Sequence, residues 1–339
     1  MMRLPHFEFH APTTVREAAD LIAASPGNSM LVAGGTDLLP NMKRRQQVPK
    51  TLVGLRRVAE LRRIANGDGL TIGAGMTLSE LVHDGRVRQN YGALWRAASS
   101  VATPHLRNMG TLGGNLCLDT RCNYYDQNYE WRKAIDFCMK KDGAICWVAT
   151  GSPRCLAVSS TDTAPALLAL DATVVLVSAK GTREIPVSDL YRNDGINYLT
   201  RGPHEILTTV RLPRLDGWRS TYWKLRRRGA FDFPVLSVAA AVKIGADGTV
   251  EAARLVLGAV SSRPVDVSSA AAVLVGQPLT DESIARTAEF AAKPAKPMDN
   301  TDFNLLWRKR VTRDFVTYAL RELRGDDMRE LRWKISRSS

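Results

Sequence analysis

The apolar positions of residues 1–56 switch between helical and strand spacing. Thr14-Val15-Arg16-Glu17 has the pattern of a capping box, and the apolar residues around it recur at helical spacing. A helix is therefore predicted from Val15 to about Ser25. Apolar runs at Met30 to Ala33 and at Thr51 to Leu55 predict two short strands, the first of them buried. Together these elements predict a small α/β lobe.

Residues 57–215 are predicted to form a second lobe. Leu61 to Gly75 has the pattern of a hairpin whose turn is Asn66-Gly67-Asp68-Gly69, and Thr77 begins a second capping box. The other predicted elements are helices at Leu94 to Val101 and Pro165 to Leu170 and strands at Thr173 to Val177 and Glu205 to Leu212. A polar and aromatic segment without a sustained period, about 117–156, interrupts the lobe. Irregular segments of this length are uncommon in compact domains and are usually functional.

Residues 216–330 are predicted to form a separate α+β domain, followed by a basic tail at 331–339. Its predicted elements are antiparallel strands at Tyr222 to Arg226, Val235 to Ile244 and Ala252 to Val260 and helices at Asp281 to Ala292 and Phe303 to Leu323. The fold class predicted for the whole chain is therefore α+β, with two domains.

Charge and composition narrow the class of partner. The 339 residues include 47 Lys and Arg against 34 Asp and Glu, a net charge of +13 that favours an acidic protein or an anionic cofactor. No nucleic-acid motif accompanies the basic clusters, so no nucleic-acid partner is predicted. The sequence contains no run long enough to span a bilayer and no apolar stretch typical of a signal peptide near Met1, so a cytoplasmic protein without a membrane partner is predicted.

Two glycine motifs could bind an anion. Val32-Ala33-Gly34-Gly35-Thr36-Asp37 follows a predicted strand, and successive N–H groups in such a turn can form a nest for a pyrophosphate. Gly110-Thr111-Leu112-Gly113-Gly114-Asn115 offers a second cradle, in which Thr111 and Asn115 can hydrogen-bond to oxygen. Either loop alone could be a tight turn that needs glycine for its backbone conformation. The two together favour a dinucleotide site.

All five cysteines lie between residues 117 and 155. Four of them, Cys122, Cys138, Cys146 and Cys155, are 16, 8 and 9 positions apart, so neither the usual zinc knuckles nor the familiar ferredoxin spacings are present. An iron–sulfur cluster, a structural zinc and free buried cysteines all remain open on spacing alone. Cys117 is predicted to be a small buried residue and not a ligand.

Asp162 and Lys224 each have two interpretations. Asp162 precedes a predicted helix and could cap it or accept hydrogen bonds from a ligand. Lys224 could lie beside a flavin, where it would offset negative charge on the ring, or could belong to a solvated basic strand.

Several motifs in order resemble the flavoprotein subunit of the xanthine dehydrogenase and carbon monoxide dehydrogenase family, the molybdenum hydroxylases. They are Val32 to Asp37, Ala102 to Asn115, Leu167 to Ala172 and the strand of Lys224. The resemblance covers residues 1 to about 325. It implies a two-lobed FAD-binding domain of the PCMH type at 1–215 and a C-terminal α+β domain with a small antiparallel sheet.

The resemblance also implies an FAD site. Gly34, Gly35 and Thr36 would hold the pyrophosphate, Gly110, Thr111, Gly114 and Asn115 would line its other side, and Asp162 and Lys224 would contact the cofactor. The remaining positions that the resemblance assigns to the cofactor are Ser29, Met30, Leu31, Val32, Ala33, Asp37 and Ala102. No catalytic residue is implied in this chain.

The cysteine segment departs from most of the family, because roughly 40 residues separate the second glycine motif from Asp162. This insertion is similar to the one in the 4-hydroxybenzoyl-CoA reductase branch, whose beta subunit has a 4Fe–4S cluster. The similarity implies a cluster on Cys122, Cys138, Cys146 and Cys155, a ferredoxin as electron donor, and partner subunits with 2Fe–2S clusters and molybdopterin in a dimer of heterotrimers. Two alternatives are a flavoprotein subunit of another molybdenum hydroxylase, acting on carbon monoxide, aldehydes or purines, and a zinc-stapled basic binding module.

Overall fold

The computed structural model describes residues 3–337 and has the α+β architecture that the sequence predicts. The first lobe consists of β1 (Glu8–His10), α1 (Val15–Ala24), β2 (Ser29–Val32), α2 (Leu38–Lys43) and β3 (Thr51–Gly54). Its three strands form a parallel sheet in the order β1-β3-β2. Thr14 caps α1 by accepting a hydrogen bond from the Glu17 N–H at 3.1 Å. The predicted capping box is only half formed, since the Glu17 carboxylate accepts from the N–H of Thr13 instead.

The second lobe is built on a five-stranded antiparallel sheet in the order β4-β5-β8-β6-β7. Its elements are β4 (Ile64–Gly67), β5 (Gly69–Gly73), α3 (Leu78–His83), α4 (Gly85–Asn90), α5 (Gly92–Ser100), α6 (Pro104–Arg107), α7 (Leu112–Leu116), α8 (Tyr129–Ala134), α9 (Thr163–Ala169), β6 (Thr173–Ser178), β7 (Gly181–Pro186) and β8 (Ile206–Leu212). The hairpin and the capping box at Thr77 are confirmed. The cysteine segment contains one short helix, α8, which its lack of periodicity did not predict.

The C-terminal region is a four-stranded antiparallel sheet covered by helices, with strand order β12-β11-β10-β9. Its elements are β9 (Trp218–Leu225), β10 (Leu236–Ile244), β11 (Val250–Gly258), β12 (Val265–Asp266), α10 (Ser268–Ala271), α11 (Asp281–Ala292), α12 (Leu305–Arg324) and α13 (Arg329–Arg337). Short 3-10 turns lie at Ala59–Arg62, Val187–Leu190 and Ala272–Leu274. Helix α13 lies in the segment from which only a basic tail was predicted.

The C-terminal sheet is buried on both faces, and this determines where β9 directs its side chains. Successive residues of a strand point to opposite faces. Trp223 packs in the core formed with α11 and α12, whereas Tyr222 packs in the core of the second lobe. Lys224, two residues after Tyr222, therefore faces the second lobe and not the solvent. Across residues 3–337, no helix is both long and apolar enough to cross a membrane.

Candidate functional site

The two glycine loops are in direct contact. A Cβ atom built on Gly34 would lie 1.9 Å from the carbonyl oxygen of Met109, and one built on Gly110 would lie 3.5 Å from the Thr36 hydroxyl. No side chain fits at Gly34, so glycine there allows the two backbones to approach each other. The structure thus brings together two motifs that are about 75 residues apart in the sequence.

The first loop presents unused backbone donors. Gly35 has a φ of +69°, a left-handed conformation that favours glycine. Within residues 3–337, the N–H groups of Gly34, Gly35 and Thr36 donate to no protein acceptor. Residues 29–39 are all half-buried, so the strand predicted at Met30 to Ala33 is present as β2 but is not buried as predicted. Consecutive, accessible N–H groups of this kind are suited to phosphate oxygens.

The second loop is anchored by its own side chains. The Thr111 hydroxyl accepts from the Gly114 N–H at 3.1 Å and so caps α7. The side-chain oxygen of Asn115 accepts from the Thr161 and Thr163 hydroxyls at 2.8 and 2.7 Å. The Asn115 oxygen therefore joins the glycine loop to the segment around Asp162.

Asp162 and Lys224 form an ion pair that is buried where the C-terminal sheet meets the second lobe. Lys224 Nζ lies 3.0 Å from Asp162 Oδ2, and the Tyr222 hydroxyl donates to Oδ1 at 2.7 Å. The two charged side chains are 4% and 3% exposed. Burial raises the pKa of Asp162 and lowers the pKa of Lys224, while each partner's charge opposes the shift of the other.

The ion pair contradicts two of the alternatives predicted from the sequence, the helix cap at Asp162 and the solvated strand at Lys224. The Asp162 side chain does not cap α9, although Asp162 is the residue that precedes the helix. Lys224 is not on a solvated strand. Its ammonium group also donates to the carbonyl of Ser100 at 3.1 Å, two residues before Ala102.

Ala102 has an unusual backbone conformation for a residue with a side chain. Its φ is +44°, and its carbonyl accepts from the N–H of Phe231, whose φ is +67°. Left-handed backbone at non-glycine residues costs energy and is concentrated at functional sites. Phe231 belongs to the loop between β9 and β10, so this loop of the C-terminal region lies against the segment leading to the second glycine loop.

Four cysteines line one cavity in the insertion. They are Cys122, Cys138, Cys146 and Cys155, and they share the cavity wall with residues that include Tyr125, Lys140 and Trp147. Each is buried, with 4% to 7% of its surface exposed. Cys117 is not part of this wall. The four residues predicted as ligands therefore converge, and the fifth cysteine lies apart.

The electrostatics of this cavity disfavour free thiolates. Burial, together with the charge of neighbouring cysteines, raises the pKa of Cys122 to about 12 and that of Cys155 to about 11. Cations that neutralise the thiolates would reverse this effect. In the part of the chain described, no three His, Cys, Asp or Glu side chains are placed to hold a single metal ion.

A buried arginine joins the insertion to the first glycine loop. Arg121 precedes Cys122, and its guanidinium donates to the Asp37 carboxylate. It also lies 3.3 Å from the Asn41 side-chain oxygen and 3.6 Å from the Asp126 carboxylate. The backbones of Arg121 and Val158 exchange hydrogen bonds close to the two ends of the insertion. Sequence reasoning missed Arg121, because nothing in the spacing connects it to Asp37.

Comparison with known proteins assigns a family to the two lobes and to the C-terminal region. Residues 5–215 match the family described as "FAD binding domain in molybdopterin dehydrogenase", and residues 220–323 match "CO dehydrogenase flavoprotein C-terminal domain". The chain is 32% identical to the FAD-binding subunit of an aldehyde oxidoreductase from Escherichia coli, over 92% of this chain and 98% of the relative. It is 28% identical to the FAD subunit of a nicotinate dehydrogenase from Eubacterium barkeri, over 89% and 91%.

The fold also matches a solved structure. A chain of the carbon monoxide dehydrogenase from Hydrogenophaga pseudoflava superposes with a TM-score of 0.76 at 25% identity, covering 98% of this chain and 99% of the other. The similarity thus extends over the FAD-binding region and the C-terminal region.

Proposed function

The chain belongs to the family of FAD-binding subunits of molybdenum hydroxylases, and from this membership we propose how its two sites work together in electron transfer. We propose that FAD binds along the contact between the two glycine loops. The observation that carries this proposal is the approach of Gly34 to Met109, which places the free N–H groups of Gly34 to Thr36 beside Gly110. When bound, FAD supplies the capacity to accept and release electrons.

Each segment around the contact between the two glycine loops would have its own part in binding. Gly34, Gly35 and Thr36 would donate N–H groups to the pyrophosphate. Gly110, Thr111, Gly114 and Asn115 would form the facing wall, with Ala102 at its edge. Strand β2, Ala33 and Asp37 would line the same site, and the Asp162–Lys224 pair would hold this site against the C-terminal sheet.

We further propose a 4Fe–4S cluster on Cys122, Cys138, Cys146 and Cys155. Two features support it: the cysteines share one cavity, and each of them is buried. A 4Fe–4S cluster binds one cysteine thiolate at each of its four irons, which matches the number of cysteines in the cavity wall. Membership in an FAD-binding family argues against the zinc-stapled binding module.

The reaction that we propose is oxidation of an organic substrate on a partner subunit, with electrons leaving through this chain. The Escherichia coli relative at 32% identity is named for aldehyde oxidation, and the relative from Eubacterium barkeri is named a nicotinate dehydrogenase. Partners would be a large subunit with molybdopterin and a small subunit with 2Fe–2S clusters. These names favour a flavoprotein subunit of another molybdenum hydroxylase, the alternative given in the sequence analysis, over the 4-hydroxybenzoyl-CoA reductase.

A reductive function is the second candidate, and the cysteine insertion favours it. In that case a ferredoxin delivers low-potential electrons, and the complex dehydroxylates 4-hydroxybenzoyl-CoA to benzoyl-CoA. The insertion supports an additional redox centre, but it does not determine the direction of electron flow.

One experiment tests both parts of the proposal. The chain is produced with its neighbouring subunits, and flavin, iron and acid-labile sulfide are measured before assay. We expect one FAD, iron and sulfide in excess of what the 2Fe–2S clusters of the small subunit contain, and oxidation of an aldehyde or N-heterocycle with an artificial electron acceptor. Dehydroxylation of 4-hydroxybenzoyl-CoA with a low-potential donor, without oxidation of the aldehyde or the N-heterocycle, would establish the reductase instead. A colourless chain without flavin would refute the proposal.

A further inference from the structure

A second buried ion pair lies in the wall of the cysteine cavity. Lys140 Nζ is 2.8 Å from Asp119 Oδ1, and the two side chains are 6% and 8% exposed. The same ammonium group donates to the Thr120 hydroxyl at 2.8 Å and to the Gly195 carbonyl at 2.7 Å. A lysine with three fixed acceptors cannot swing to the solvent, so its charge has a defined position in the insertion.

The pair is oriented with respect to the cavity. Lys140 lines the cavity together with the four cysteines, whereas Asp119 does not. Asp119 Oδ2 accepts hydrogen bonds from the Tyr125 hydroxyl at 3.2 Å and from the Gln47 amide at 3.3 Å. Gly195, whose carbonyl binds Lys140, itself packs on Cys155, since a Cβ there would lie 2.6 Å from the Cys155 sulfur. The positive end of the pair is thus the end nearer the thiol groups.

From this orientation we propose that Lys140 sets the reduction potential of the iron–sulfur cluster, and that Asp119 moderates its effect. The inference rests on the cluster proposed above. Reduction adds one electron, and therefore one negative charge, to the group held by the four cysteines. A fixed cation in a buried wall stabilises that charge, because the Coulomb energy of two charges grows as the local dielectric constant falls. Net charge near a cluster is one of the factors that set its potential.

A purely structural role makes a different prediction. If the ion pair only supported the loop, removing either partner would loosen the insertion in a similar way. An electrostatic role requires opposite effects, because the two partners carry opposite charges at unequal distances from the cavity. The sign of the shift therefore separates the two roles.

The test is an EPR-monitored redox titration of the full chain with dithionite as reductant. In Lys140→Met, the equilibrium constant for one-electron reduction should fall about tenfold, a shift of about 59 mV to more negative potential. In Asp119→Asn, the potential should shift in the opposite direction. Lys140→Arg, which retains the charge, should stay close to the wild type, and so should Lys141→Met, which removes a more exposed lysine from the adjacent position.

Shifts of the same sign in Lys140→Met and Asp119→Asn, or no shift in either, would overturn the proposal. The EPR signal reports only the loaded fraction, so partial loss of iron leaves the potential measurable. If Lys140→Met fails to fold, Asp119→Asn and the double variant Asp119→Asn/Lys140→Met decide the matter: the double variant should have a lower potential than Asp119→Asn alone. Iron and sulfide analysis of the wild type keeps the two hypotheses apart. A wild type without a cluster refutes the proposed function, whereas a loaded wild type with unshifted variants refutes only the role of Lys140.

Discussion

Lys224 Nζ lies 3.0 Å from Asp162 Oδ2, and both side chains are almost completely buried between the second lobe and the C-terminal sheet. Neither residue has another oppositely charged partner within ion-pair distance among the described residues. The Tyr222 hydroxyl and the Ser100 carbonyl complete the network. The pair consequently connects the cofactor-binding region to the C-terminal sheet through a contact that depends on both charges.

Removing one charge of this pair should cost more than removing both. Lys224→Met leaves a buried carboxylate with only the Tyr222 hydroxyl, and breaking a buried pair in this way costs about 3–5 kcal/mol. The double variant Asp162→Asn/Lys224→Met should recover much of that loss. Urea unfolding of the three proteins measures the difference, and FAD retention can be read from the same samples. A double variant less stable than Lys224→Met would contradict this account.

Gly34→Ala should weaken FAD binding by separating the two glycine loops. The added Cβ would lie 1.9 Å from the Met109 carbonyl oxygen, so one backbone must move. Gly85→Ala is the matched control, because a Cβ at Gly85 meets no atom within 4 Å and Gly85 begins helix α4, where alanine is favoured. The flavin-to-protein ratio after gel filtration should fall severalfold in the first variant and stay unchanged in the second. Full flavin retention in Gly34→Ala would show that the loop contact is not part of the site.

Arg121→Met should weaken both sites at once. Arg121 is 7% exposed and serves Asp37 on the first glycine loop and Asp126 in the cysteine insertion. Without it, the Asp37 and Asp126 carboxylates both lose the cation that lies within ion-pair distance, a loss of about 3 kcal/mol. Flavin and iron contents should fall together, and the melting temperature should drop. The control Arg57→Met removes an exposed arginine and should change none of the three measurements. Loss of iron with unchanged flavin would show that the two sites are independent.

The local signals in the sequence predicted those elements that are determined by local interactions. Helix α11 has the bounds Asp281–Ala292 that were predicted, because Thr280 and Ser283 cap it reciprocally and its apolar residues keep helical spacing. Helix α13 was missed because it is highly charged and has few apolar residues. Its position depends on a tertiary contact, in which Arg332 donates to Glu322 on α12 at 3.0 Å.

The candidate site likewise has features that the local sequence predicts and features that depend on tertiary contacts. The glycine loops and the cysteine set could be recognised from composition and spacing. The partners that fix them could not, because Asp37–Arg121 and Asp162–Tyr222 join residues 84 and 60 positions apart. No periodicity encodes such pairs, and they become visible only when the sheet and the insertion are folded.

Glu322 should make the stability of the C-terminal region dependent on pH. Burial raises its pKa, but the hydrogen bonds and charge of Arg332, with contributions from Thr221 and Arg96, lower it to a net value below the ordinary one. A lowered folded-state pKa stabilises the protein above the unfolded value near 4.5, and this stabilisation is lost as the pH falls through the folded value. Glu322→Gln should therefore lose about 1–3 kcal/mol at pH 7 and progressively less below about pH 4.5. The free energy of unfolding at several pH values measures this, with Glu289→Gln, from an exposed pair, as the control. A difference that stays constant with pH would contradict the assignment.

Cys138→Ser and Cys117→Ser should separate the cysteines of the insertion cavity from the cysteine outside it. Cys138 lines the cavity with the other three candidate ligands, so its replacement should remove or destabilise the cluster while much of the FAD stays bound. Cys117 lies outside that wall, near the Tyr198 hydroxyl that donates to its carbonyl at 3.2 Å, and its loss should leave the iron content unchanged. Iron, sulfide and flavin are measured on both variants beside the wild type. Cys117→Ser matches the chemistry of the substitution, so a difference between the variants reflects position alone. Unchanged iron in Cys138→Ser would remove that cysteine from the ligand set.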